Sequence, residues 1–207
     1  MKFLLSLAVF AASWTALAQG TLEAVLSYDA NGNSGYLNGT AGWTFQPKTP
    51  LTVTSLGCFA DVFINNSAVT AIEVGLWAPN GSLLASNSVT SASTLFDQTR
   101  YVSIAPVSLA SGQIYHLGVF YIGGSLGLDV AAPSLGGSVS NSAAILLDGL
   151  ALSSGWASPG EQVGTAGAIY AGPNFQYYEG GVPEPSSGPL LCLGGLLLAA
   201  RRRRQRR

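Results

Sequence analysis

A period of two runs through "AIEVGLW", Ala71–Trp77, and "APNGS" closes it before a second extended run begins at Leu83. Ile72, Val74 and Leu76 fall on one face, and Ala71, Glu73, Gly75 and Trp77 on the other. Successive side chains of a strand point to opposite sides, so this pattern suits a half-buried strand. Asn80-Gly81 supplies residues that tolerate the positive φ of a tight turn. The spacing predicts an antiparallel hairpin of Ile72–Trp77 with Leu83–Ser88.

The same period recurs elsewhere. In Gln113–Ile122, Tyr115, Leu117, Val119 and Tyr121 share one face, with His116, Gly118 and Phe120 opposite. Arg100–Pro106 alternates more weakly. Leu51–Ala60 alternates and then slips phase at Ser55, as a bulge or a strand buried on both faces would. Asn31–Gly35, Asn65–Ser67, Ala110–Gly112, Gly123–Ser125 and Ser158–Gly160 read as loops. Gly123–Gly167 is less regular and reads as long loops, with Ala143–Leu147 as a candidate strand. Gly, Ser, Thr, Ala and Val dominate, while the Lys, Glu and Arg of long amphipathic helices are scarce. The expected fold is all-β, an antiparallel β-sandwich of jelly-roll or Ig-like type.

The ends of the 207-residue chain differ from its middle. Residues 1–18 carry one early charge at Lys2, an apolar core from Phe3 to Trp14, and small residues at Ala16 and Ala18. That is a signal-peptide pattern with an A-x-A cleavage site, and it predicts a mature start at Gln19. Residues 19–181 make one domain-sized unit of 163 residues. Two bases, Lys48 and Arg100, stand against nine acids there and leave it at −7. Such a domain repels phosphate backbones, which argues against nucleic-acid binding. Residues 182–207 hold a Pro-Glu-Pro triplet, an apolar run at 189–200 and an Arg-rich tail at 201–207. As a helix, 12 residues reach about 18 Å, short of a hydrocarbon core of roughly 30 Å. The length favours a transient membrane hold by a short C-terminal apolar helix. The arginines would stay cytoplasmic and the domain outside.

"GWTFQPKTPLTVTSLGCFAD", "AIEVGLWAPNGSLLAS", "RYVSIAPVSLASGQIYHLGVFY" and "GPNFQ", spread from Gly42 to Gln176, resemble a family of exported bacterial β-sandwich domains of unknown function. The resemblance carries over no catalytic residue, and it implies that Cys58 is a small core residue. The tail resembles the PEP-CTERM sorting signal, with Pro183, Glu184 and Pro185 matching its motif. That resemblance implies an exosortase-type processing protease as partner and an exopolysaccharide-producing Gram-negative host. It also implies a route from an inner-membrane-tethered intermediate to the cell envelope, surface or medium.

Catalytic and ligand-binding constellations are sparse. His116 is the only histidine, no G-x-S-x-G elbow accompanies the serines, and a lone strand histidine is ordinarily structural. The nine acids leave two-carboxylate hydrolase chemistry open, with no pairing visible in sequence. Asp29–Asn33 begins like a calcium loop, yet Ser34 and Thr40 stand where an EF-hand needs Gly and Glu. Cys58 and Cys192 show no zinc spacing. The expectation is therefore no enzyme, no cofactor and no metal. Trp43, Trp77, Trp156 and the tyrosines are candidates for stacking on sugar rings, against the commoner role of core packing. Trp77 beside Glu73 is the candidate carbohydrate contact, on condition that their face is exposed.

Overall fold

The computed structural model describes residues 21–29, 35–37, 39–65, 69–121, 126–131, 138–162 and 169–180. The signal-peptide, calcium-loop (Asn31–Asn33), Pro183–Pro185 and C-terminal helix expectations fall outside them. In chain order the strands are β1 (Leu22–Glu23), β2 (Val25–Asp29), β3 (Gly35–Leu37), β4 (Gly39–Pro47) and β5 (Leu51–Phe59). A one-turn helix α1 (Asp61–Asn65) follows, then β6 (Ala71–Trp77), β7 (Leu83–Thr90), β8 (Thr94–Phe96), β9 (Thr99–Leu109) and β10 (Tyr115–Phe120). The rest are β11 (Leu126–Ala131), β12 (Ser138–Asn141), β13 (Ile145–Ser154), β14 (Glu161–Gln162), β15 (Ile169–Ala171) and β16 (Pro173–Glu179).

Two antiparallel sheets dominate. One has the order β1-β16-β5-β9-β8 and the other β14-β13-β4-β10-β6-β7. Smaller sheets pair β15-β11-β3 and β12-β2. The all-β expectation therefore holds. The alternation predicted for β6 and β10 sets which side chains enter the core. Ile72, Val74, Leu76, Tyr115, Leu117 and Val119 are buried there with Trp43 and Phe45 of β4. Leu51, Val53, Leu56, Cys58, Phe175 and Tyr177 enter the same cluster from the other sheet. The Phe175 ring lies 6.1 Å from Trp43 and 4.9 Å from Phe45, which ties the sheets together through aromatic contacts.

The phase slip at Ser55 has a local cause. Against β16 the pairing of β5 jumps from Val53 to Ser55, so Thr54 is the extra residue of a bulge, whereas against β9 the three residues Ile104, Ala105 and Pro106 stand opposite Thr54. The strand is also buried along nearly all its length. The loop expectation for Gly123–Gly167 is corrected: β11, β12, β13 and β14 all lie within it. Ala143–Leu147 foreshadowed only the start of β13, which runs on to Ser154. A register jump between Leu147 and Gly149 breaks the period of two there and hid the strand.

Candidate functional site

The hairpin forms as expected, with Ile72↔Val89, Val74↔Asn87 and Leu76↔Ala85 in register. Its loop is closed by Ala78 N donating to Ser82 O (2.8 Å) and Gly81 N to Ala78 O (2.9 Å). Gly81 takes the left-handed conformation, φ 81°, and Asn80 Oδ1 accepts from Ser82 N at 3.0 Å. This loop forms one wall of the outer face of the six-stranded sheet.

That face has a floor of small residues. Gly42 of β4, Gly118 of β10 and Gly75 of β6 stand directly opposite one another across three neighbouring strands. A Cβ on Gly75 would meet the Trp77 and Trp156 rings, and one on Gly118 would meet Thr40 and Pro159. The space over the floor is filled by the segment 155–160, a strap crossing the sheet. Thr40 Oγ1 donates to Gly155 O (2.6 Å) and accepts from Ala157 N (3.3 Å), and Ser153 Oγ donates to Ala157 O (3.0 Å). Further along, His116 Nδ1 lies 3.0 Å from Pro159 O. A carbonyl oxygen only accepts, so Nδ1 carries the proton in this contact.

The condition placed on Trp77 is not met. Trp77 and Glu73 do share the outer face, but Trp77 is only 3% exposed. Trp156 covers it, with ring centroids 5.0 Å apart at 60°, and also lies 6.0 Å from Phe120. The accessible ring is Trp156, at 38% exposure. Trp43 is a fully buried core residue and donates its indole N–H to Pro173 O at 3.0 Å. Tyr177 is buried and Tyr178 half-buried. Glu73 remains half-buried beside Phe120 in the register of β6 and β10.

Beside the strap lies an open groove of about 790 Å³. The hairpin loop contributes Pro79, the loop before β10 contributes Gly112, Gln113 and Ile114, and the sheet contributes Thr44, Gln46 and His116. Gln46 Nε2 donates to Gly112 O at 2.7 Å, which fixes that loop against β4. No carboxylate, lysine or arginine lines the groove among the described residues.

A second polar cluster is internal. The Tyr101 hydroxyl donates to Glu23 Oε1. Asn174 Oδ1 accepts from Val25 N at 3.0 Å, while its Nδ2 donates to Val25 O (2.9 Å) and Thr99 Oγ1 (3.3 Å). Burial pushes the Glu23 carboxyl above its ordinary range; the Tyr101 hydroxyl opposes the rise and Asp97 adds to it. Burial, then Glu23, pushes the Tyr101 phenol up. These bonds join β1 and β2 to β9 and β16, so the cluster closes the N-terminal strands onto the sandwich. Cys58 is fully buried and free, and burial pushes its thiol up, as suits a small core residue.

Among the described residues, no group of three or more His, Cys, Asp or Glu is placed to hold a metal ion. Among them also, no helix is long and apolar enough to cross a membrane. Sequence reasoning missed the groove, because Gln46 and Gln113 are ordinary polar residues until Gly112 brings their segments together. No family model matches the chain, and no curated protein matches it.

Proposed function

We propose that this chain is an exported, non-catalytic protein of the cell envelope or extracellular matrix, delivered by its C-terminal sorting tail and associated with exopolysaccharide. The single observation that carries the reading is the order of features in the tail: Pro183-Glu184-Pro185, then an apolar run, then the Arg cluster, in a chain that opens with a signal-peptide pattern. An exosortase-type protease is the processing partner in this reading, and the inner membrane is a transient one.

The geometry of the folded part is compatible with both ends being handled at a membrane. β1 pairs antiparallel with β16, with Leu22 opposite Tyr177. Gly180 N donates to Pro50 O at 2.8 Å. Residues 21 and 180 therefore leave the same end of one sheet. A tether on either side of the domain would hold the same end toward the bilayer. The non-catalytic half of the reading is supported by His116, whose Nδ1 engages a backbone carbonyl where a catalytic triad would present a carboxylate. We read the sandwich as jelly-roll in type, because β4, β5 and β6 alternate between the two sheets, as do β9 and β10.

Cell fractionation tests the proposal. The full chain should distribute to the envelope or medium, and a chain truncated before Val182 should lose that distribution. Unchanged location after truncation sinks the sorting role.

A further inference from the structure

We infer that the groove between the 78–82 hairpin loop and the loop before β10 is a binding site for a neutral saccharide unit. Its size lies within the range of small-molecule sites, about 300–1,000 Å³. Its lining selects the ligand class. Gln46 and Gln113 carry amides with both donor and acceptor atoms, the Gln46 Nε2 also holding the Gly112 carbonyl. A sugar's hydroxyls both donate and accept, so such groups complement a polyol. Pro79 and Ile114, the latter 42% exposed, supply apolar surface for the C–H faces of a sugar ring.

Charge narrows the choice further. A cation finds no carboxylate in the described lining. An anion finds no lysine or arginine there and approaches a domain whose residues 19–181 sum to −7. The walls are fixed before any ligand arrives. Gln46 holds the Gly112 carbonyl, Pro159 holds the His116 ring, and the Ala78–Ser82 bonds hold the Pro79 loop. Preformed walls lower the ordering cost of binding. Gly160 borders the groove in open space: a Cβ there would find no atom nearer than Ser158 O, at 3.9 Å.

The inference rests on the exopolysaccharide association proposed above and names where a sugar would sit. Calorimetric titration of the full chain with β-1,4-linked tetrasaccharides of glucose, mannose and galactose, and with tetragalacturonate, tests it. At least one neutral probe should bind, with tetragalacturonate weaker. Gln113→Ala should weaken binding about threefold to tenfold, the worth of one hydrogen bond. Gly160→Phe should fill the groove and abolish binding, while Trp156→Ala should change affinity by less than about twofold. If Gly160→Phe fails to fold, Gln113→Ala decides alone. Binding lost in Trp156→Ala but kept in Gln113→Ala overturns the groove and leaves the exopolysaccharide association standing on the aromatic face. Tighter binding of tetragalacturonate, or no binding of any neutral probe, overturns the groove outright. Fractionation of the truncated chain then still tests the sorting reading separately.

Discussion

Asn174 shows what one buried amide contributes. Its side chain meets both backbone groups of Val25 and the Thr99 hydroxyl, all in the interior. Asn174→Ala leaves these groups without partners and should lower stability by about 1–3 kcal/mol in urea titration. Glu23 adds a pH signature. Its folded-state pKa is raised above the ordinary value of 4.5, so the folded state holds its proton more tightly than the unfolded chain. The associated stability is fully present below that value and is lost as pH rises through the folded-state value. Glu23→Gln should remove this loss, and the variant should gain on the parent as pH increases from about 4 toward neutrality. A constant difference between the two across that range would refute the assignment. Cys58, with its thiol buried and its pKa raised, should resist alkylation in the native chain and react only on unfolding, as peptide mass mapping would show.

The strap over the outer face is where sequence and structure part company. The period of two in β6 and β10 was legible, and with it the hairpin partner and the inner face. The phase slip at Ser55 was legible as a bulge candidate, and the pairing with β16 locates it at Thr54. What period cannot carry is the covering of an outer face. Trp77 follows a polar-side register, so alternation places it outward, yet the strap lays Trp156 over it. That contact joins residues far apart in the chain and leaves no local trace. The glycine floor was equally hidden, because its three members lie on different strands. Gly118→Ala would set a Cβ 2.5 Å from a Thr40 methyl and 3.2 Å from Pro159. It should push the strap outward and lower stability by about 1–3 kcal/mol, with increased Trp156 exposure to acrylamide quenching. Unaltered quenching would mean that the strap does not depend on the floor.

At the scale of the molecule, a core of rings and aliphatic side chains holds two antiparallel sheets together, and no disulfide joins them among the described residues. Trp43 sits where the sheets meet, fully buried and packed on Phe45 and Phe175. Trp43→Ala should cost about 3–5 kcal/mol, read as a lowered denaturation midpoint. The all-β class was readable because composition and period agree over most of the domain. The groove was not, since its walls come from β4, β10 and two loops. The uneven placement of charge, −7 in residues 19–181 against six arginines at the end, is what gives the chain a direction across a membrane in the proposed reading. The measurement that bears most directly on this account is the intact mass of the mature protein from its native cells. The mature chain should begin at Gln19 and lack the Arg cluster at 201–207. A mass that still includes Met1–Ala18 and Arg207 would contradict it.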